Sequence, residues 1–111
     1  MQIKKGADLR FLRQEVSKWL LNVEAVFSWH LPAAYQFVIT SGADGKHKTG
    51  SKHYKNLAVD IRIWWMDKKI QSYADQAQKE LILADLGKLL PEADFDLVWH
   101  AGSHLHMEYD P

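Results

Sequence analysis

The sequence has 111 residues, 47% of them hydrophobic, and its 14 lysines and arginines balance its 14 aspartates and glutamates. This length predicts a single domain over residues 1–111, with enough apolar side chains to bury a core. The neutral charge balance argues against nucleic acid or an acidic membrane as the main partner, because either favours a strongly basic face. Cysteine is absent, so any metal must be held by histidine and carboxylate groups.

The N-terminal stretch MQIKKGADLRFLRQEV carries lysines but no apolar run behind them, so it lacks the pattern of a secretory signal. No apolar segment approaches the ~20 residues that span a bilayer. We therefore expect a soluble chain that is made in the cytoplasm without a signal peptide and does not insert into membranes. The oligomeric state is open, with a monomer as the default expectation.

The pattern predicts helix, two strands, helix and hairpin in chain order. An apolar period of 3.6 residues predicts a helix from Asp8, as its N-cap, to about Phe27. The segments YQFVIT and LAVDIRIWW are predicted strands, separated by a long polar loop over residues 41–56. A second helix is predicted from about Lys69 to Leu90. Its expected apolar face consists of Ile70, Tyr73, Ala77, Leu81 and Ala84.

Two further strands, FDLVWH and SHLHMEY, are predicted to form a hairpin around a tight turn at AGS. This element order predicts an α+β domain whose small, mainly antiparallel sheet packs with two main helices. Alternation along the strands separates two faces. The apolar face is predicted to hold Leu57, Val59, Ile61, Ile63, Phe95, Leu97, Trp99, Leu105, Met107 and Tyr109.

The opposite face of the predicted sheet carries Asp60, His100, His104 and His106. Asp60 interrupts a hydrophobic strand, where a carboxylate is costly unless it is paired or bound to a cation. Two histidines and one carboxylate form a common catalytic zinc set. A solvated strand face is the alternative at this point. His30 and His47 are interpreted as ordinary solvated histidines.

A multi-part pattern runs through the second half of the chain: Ser51-x-His53-x-x-Asn56-x-Ala58-x-Asp60, then His104-x-His106. It resembles the zinc D-alanyl-D-alanine carboxypeptidases and L-alanyl-D-glutamate endopeptidases, whose pattern is Ser-x-His-x-x-Gly-x-Ala-x-Asp with a late histidine in a strand. That superfamily includes phage endolysins and shares its fold with the hedgehog signalling domain. The resemblance covers roughly residues 37–111, and the ending HLHMEYDP resembles that of small phage-encoded members.

The resemblance implies that His53, Asp60 and His106 bind Zn²⁺. It further implies that His104 lies beside the metal, where it can hydrogen-bond a ligand or substrate oxygen. The family's usual catalytic glutamate is missing from VWHAGSHLH, and His100 occupies about its place. We therefore expect His100 to act as the base, with His104 as the second candidate and Glu108 ranked below both.

A second departure from the family concerns substrate binding. The family's Ser-Gly-x-Arg turn pairs its arginine with a substrate carboxylate, but this chain has SGADGK, with Asp44 in that place. Lys46, Lys48 or Arg62 are candidates to replace it, although a lysine lacks the bidentate fork. The residues assigned to substrate binding are Lys46, Arg62 and Ser51, with Ser51 also supporting the loop. Asn56 replaces the family's glycine, and asparagine tolerates the left-handed backbone that glycine favours.

The resemblance implies a zinc metallopeptidase that hydrolyses peptide bonds next to D-amino acids in bacterial cell-wall peptides. The missing arginine favours an endopeptidase over a D-alanyl-D-alanine carboxypeptidase. A phage or prophage origin is implied, with release by a holin or delivery within a virion. The alternative is a zinc-stabilised binding or virion structural domain without turnover. A metal-free fold with uninvolved histidines is a third interpretation.

Overall fold

The computed structural model describes residues 1–45, 50–91 and 94–111. They form an α+β fold with two main helices, which confirms the predicted class. The elements in chain order are β1 (Gln2–Ile3), α1 (Gln14–Ser17), α2 (Leu20–His30), β2 (Val38–Ser41), β3 (Ala58–Arg62), β4 (Trp64–Asp67), β5 (Ile70–Tyr73), α3 (Gln76–Leu89), β6 (Phe95–His100) and β7 (His104–Tyr109).

The larger sheet has five strands in the order β1-β2-β3-β7-β6. Only the short β1–β2 pair within it is parallel, so the sheet is mainly antiparallel, as predicted. β7, the last described strand in the sequence, lies between β3 and β6. β4 and β5 form a separate two-stranded sheet.

One hydrophobic core lies between the larger sheet and helices α2 and α3. The predicted apolar faces of β3, β6 and β7 are confirmed, because their side chains are buried in this core or packed against it. Burying a large apolar side chain stabilises the fold by about 1.5–3 kcal/mol. Among the described residues, no helix combines the length and apolar character needed to cross a membrane. The fully buried large side chains include Val23, Phe27, Ile61, Ile82, Leu86, Leu105 and Met107.

The first predicted helix is wrong over its N-terminal part, because only α1 and α2 are helical. Asp8 does not cap a helix; its carboxylate accepts hydrogen bonds from the backbone and guanidinium of Arg10. The backbone at both ends of the segment from Asp8 to Arg13 is hydrogen-bonded to the long loop instead. Ala43 N donates to Asp8 O at 2.9 Å, and Arg13 N donates to Asn56 O at 2.9 Å. These groups are therefore unavailable for helical hydrogen bonds.

The predicted second strand is also divided, and the predicted second helix starts too early. β3 ends at Arg62, while residues 64–67 pair with β5 in the other sheet. Lys68 adopts a left-handed φ of 59°, which turns the chain back so that Ile70–Tyr73 is a strand rather than helix. α3 begins only after Asp75, whose side chain accepts from Gln78 N in a capping box.

The predicted apolar face of the second helix is wrong as a consequence. Leu81 is 53% exposed, whereas Ile82 and Leu86 are fully buried. The predicted period was counted from Ile70, which lies in β5 and not on the helix. When the helical period is counted from the capping box at Asp75, the buried face moves by one residue, from Leu81 to Ile82.

Candidate metal centre

His53 lies in a single helical turn that ends in a Schellman motif. Leu57 N donates to Lys52 O at 2.9 Å, and Asn56 N donates to His53 O at 3.1 Å. Asn56 has φ of 60°, the left-handed conformation expected from asparagine at the family's glycine position. Ser51 Oγ accepts from His53 N at 3.2 Å, which is a loop-supporting contact.

The other two donors stand on neighbouring strands of the larger sheet. Asp60 in β3 and His106 in β7 are directly opposite each other in an antiparallel register. Alternation places both on the sheet face that looks away from the core. His53 and Asp60 are nonetheless buried, at 3% and 7% exposure, because the loop carrying His53 folds over this face.

The three predicted ligands converge. Asp60 Oδ1 lies 3.0 Å from His106 Nδ1 and 3.2 Å from His53 Nε2, and the two imidazole nitrogens are 3.0 Å apart. Three donors around one ion with bonds of about 2.1 Å are about 3.0 Å apart at octahedral angles and about 3.4 Å apart at tetrahedral angles. This buried group has the size and chemistry to bind a single divalent metal ion.

Hydrogen bonds on the outer side of each imidazole direct its free lone pair inward. His53 Nδ1 donates to Gly42 O at 2.8 Å, and His106 Nε2 donates to Glu108 Oε1 at 2.7 Å. In their neutral forms, both histidines therefore present an unprotonated nitrogen to Asp60. Three electron-rich atoms at this separation need a cation between them, and such outer partners also raise ligand basicity.

The ionisation of the group in the metal-free protein follows the same geometry. Burial alone raises the pKa of Asp60, but hydrogen bonds from His106 and His53 outweigh it and bring the pKa below its ordinary value. The hydrogen bond to Asp60 raises the pKa of His106 against the effect of its burial, and Glu108 adds to that rise. Both contacts favour the protonated form of His106 when no metal is bound.

His104 and His100 occupy the sheet face next to this group. His104 Nε2 lies 3.6 Å from Asp60 Oδ1, and its Nδ1 is 2.6 Å from Ser103 Oγ. His100 is exposed, and its ring centroid is 4.7 Å from that of His104. Burial lowers the pKa of His104, Asp60 opposes this, and the neighbouring imidazoles add to the lowering, so that the net change is downward. This direction favours the neutral form of His104.

Asp44 supports the loop at the position where the resemblance led us to expect an arginine. Its Oδ1 accepts from Gly42 N and from Asp8 N, both at 2.7 Å. Burial raises the pKa of Asp44, but these backbone donors outweigh it and the net change is downward. Asp44 thus fixes the turn whose Gly42 carbonyl orients His53. The candidate replacement Lys46, like Lys48 and His47, lies outside the described residues.

Arg62, the other candidate for substrate binding, lies two positions along β3 from Asp60 on the same face. Its guanidinium carbon is 4.0 Å from the ring centroid of Trp64, a stacked cation–π contact. Within the described chain its Nε is buried without a hydrogen-bond partner. Arg62 and Trp64 line a cavity of about 150 Å³ that also contacts Gln36.

The prediction for His30 is wrong, since its side chain is only 12% exposed and its Nε2 lies 2.5 Å from Asp85 Oδ2. This contact connects α2, which carries His30, with α3, which carries Asp85 and packs beside α2. Trp99 packs against the core, as predicted.

No protein-family model, curated protein or solved structure matches this chain.

The sequence did not predict the two groups that accept the outer hydrogen bonds of the imidazoles, Glu108 and the carbonyl of Gly42. Glu108 was ranked as a minor candidate base, yet it holds the outer nitrogen of His106. Its spacing of two from His106 on a strand was a usable signal, because residues i and i+2 share a face. Gly42 offered no such signal, since its contribution is a backbone carbonyl.

Proposed function

We propose that this chain is a zinc-dependent peptidase that cleaves bonds next to D-amino acids in bacterial cell-wall peptides, as the resemblance to the D-alanyl-D-alanine peptidase superfamily implies. The observation that carries the proposal is the convergence of His53, Asp60 and His106 within 3.2 Å, with His104 alongside. A phage or prophage origin, with access to the wall by holin release or from a virion, belongs to the same proposal.

The donor set fits zinc, for which two histidines and a carboxylate are a usual catalytic combination. When bound, zinc acts as a Lewis acid that lowers the pKa of water and polarises a carbonyl group. The two outer hydrogen bonds from His53 and His106 hold the ligands in the orientation that this binding requires.

His104 is the best-placed base in this proposal, ahead of His100. Its Nε2 is the nearer to the ligand group, and its lowered pKa favours the unprotonated form. It would take a proton from the attacking water and return that proton to the amine of the departing peptide. Ser103 Oγ can accept a hydrogen bond from Nδ1–H of His104, the tautomer in which Nε2 is unprotonated.

Digestion of purified peptidoglycan by the zinc-loaded protein, with mass spectrometry of the released fragments, tests the proposal. We expect new amino and carboxyl termini at a D-amino acid, activity lost on chelation and restored by zinc, and no products from His106→Ala. Intact sacculi and stem peptides after incubation with protein of verified zinc content would contradict it.

A non-catalytic, zinc-stabilised binding or virion domain is the second candidate. It is favoured by Asp44, which supports the loop where the family's substrate-binding arginine would stand. His104→Ala separates the two candidates. For an enzyme we expect zinc content and melting temperature to be retained while turnover falls by about 10²–10⁴-fold. Equal product release by wild type and His104→Ala would reject the assigned base.

A further inference from the structure

β6 is an open edge of the larger sheet. One of its sides pairs with β7, and no described strand pairs with the other side. Natural sheets protect such edges with lysine, proline, bulges or very short strands. β6 has six residues, FDLVWH, in a continuous register, and contains neither lysine nor proline. Val98, at its centre, is 45% exposed. The strand is therefore suited to pairing with another strand.

The exposed face of β6 carries different chemistry at its two ends. At the start, Asp96 lies near Glu108 and Asp110, with one carboxylate oxygen of each within 4.8 Å of the others. At the end, His100 packs against His104 with ring centroids 4.7 Å apart and the ring planes tilted by 31°. A strand with acidic groups at one end and imidazoles at the other complements itself when a copy runs antiparallel to it.

One register satisfies this complementarity. When two copies pair about a two-fold axis, their cores lie on the same side of the joined sheet only in certain registers. In these registers a residue that faces the core pairs with one that also faces the core, and an outward-facing residue pairs with an outward-facing one. Placing Val98 opposite Val98 of a second copy puts Asp96 opposite His100 in both directions. A shift by two residues in one copy removes that match, and a shift by four pairs Asp96 with Asp96 or His100 with His100.

The core side of the same edge has a groove that fits this register. A cavity of about 300 Å³ lies between α3 and β6, lined by apolar side chains that include Leu83, Leu86 and Leu97. In the register centred on Val98, Trp99 of the second copy stands opposite Leu97 and on the same face. Its indole packs against its own core but is only partly buried, so its exposed edge would border the groove and cover apolar surface there.

We propose that β6 is a self-association surface, on which a second copy of this chain pairs antiparallel about a two-fold axis at Val98. The interface joins the two larger sheets edge to edge, with reciprocal Asp96–His100 contacts and the exposed edge of Trp99 beside the groove of the opposite copy. The two metal centres then lie on the same face of the joined sheet. This departs from the default expectation of a monomer.

Sedimentation velocity from about 10 µM to about 1 mM tests the surface, because interfaces of small area are weak. We expect a concentration-dependent dimer that Val98→Lys abolishes, while Leu21→Lys, on the exposed face of α2, leaves it unchanged. Asp96→Lys and His100→Asp should each weaken dimerisation at least tenfold, and the double variant should restore it. A monomer throughout the range, or a dimer unaffected by Val98→Lys, would overturn the proposal.

Cysteine cross-linking tests the register, because the native chain has no cysteine. Val98→Cys should form a covalent dimer under mild oxidation faster than Leu21→Cys. Asp96→Cys should cross-link with His100→Cys in a mixture, and more slowly with itself. Cross-linking of Val98→Cys at the rate of the Leu21→Cys control would contradict the two-fold axis at this residue.

Discussion

Each imidazole of the metal centre is held from outside by a different kind of acceptor. His53 uses the Gly42 carbonyl, whereas His106 uses the Glu108 carboxylate. Strand alternation predicted that Asp60 and His106 share a face, and the family resemblance implied His53 as their partner; the three groups do converge. Neither could predict the carbonyl of Gly42, since backbone groups leave no trace in a pattern of side chains.

Removal of the Glu108 charge tests the outer support of His106. Glu108→Gln keeps the shape of the side chain but loses the anionic acceptor that raises imidazole basicity, so we expect zinc affinity to fall about 10–100-fold. Competition titration with a chromogenic chelator measures this change. Asp67→Asn, on the exposed β4, is the matched control and should bind zinc like wild type. Unchanged affinity in Glu108→Gln would reject the supporting role.

The raised pKa of His106 predicts how zinc binding depends on pH. Below that pKa the proton on His106 must leave before the metal can bind, so affinity should fall as the pH is lowered from 8 to 6. Asp60, whose pKa is lowered, stays ionised over this range and adds nothing to the slope. Calorimetry in buffers of different ionisation enthalpy counts the protons released. Affinity that is constant between pH 6 and 8 would contradict this assignment.

Arg62 is the described cation best placed to bind a substrate carboxylate in the proposed reaction. Its planar fork is oriented by Trp64 and lacks a protein partner at Nε within the described residues. Arg62→Lys keeps the charge but removes the fork, so we expect KM to rise about tenfold for peptides with a free carboxylate and to stay constant for their amides. Equal effects on acid and amide substrates would reject this role. Arg13→Lys serves as the control.

At the scale of elements, tertiary contacts overrode two periodic patterns. Leu9 and Leu12 pack against the core at helical spacing, but Asp8 O accepts from Ala43 N and Arg13 N donates to Asn56 O, so both ends of this segment are bonded to the long loop. Lys68 reverses the chain through a left-handed φ that lysine rarely adopts, so the first residues of the predicted second helix form β5 instead. The faces of the strands were predictable because successive side chains of a strand point to opposite sides of the sheet. An alternating pattern over six residues therefore fixes which residues face the core.

The turn at Gly42 is the element-scale feature most sensitive to substitution. A Cβ at Gly42 would lie 2.3 Å from the backbone oxygen of Asp8, so Gly42→Ala should destabilise the fold by about 1–3 kcal/mol and weaken zinc binding. Gly87→Ala is the control, because its Cβ meets nothing within 4 Å in α3 and should stabilise by about 0.5–1 kcal/mol. Chemical denaturation gives both values. A neutral Gly42→Ala would show that the turn can move away from Asp8.

At the scale of the molecule, the metal centre links parts of the chain that are distant in sequence. Free zinc at about 1,000 times its Kd should stabilise the fold by about 4 kcal/mol. For a domain of this size the melting temperature should then fall by more than about 10 °C on chelation. Differential scanning calorimetry with and without chelator measures the shift. Asp60→Asn should melt at a temperature that chelation does not change, and a shift in that variant would place the metal elsewhere.

The position of β7 inside the sheet has a kinetic consequence. Asp60 and His106 are 46 positions apart, and β3, which also pairs with β2, meets the β6–β7 hairpin only when this loop closes. The closing of this long loop makes the folding transition state slow to reach. The complete ligand triad exists only after that barrier is crossed. Zinc should consequently lengthen the lifetime of the native state while leaving the refolding rate unchanged.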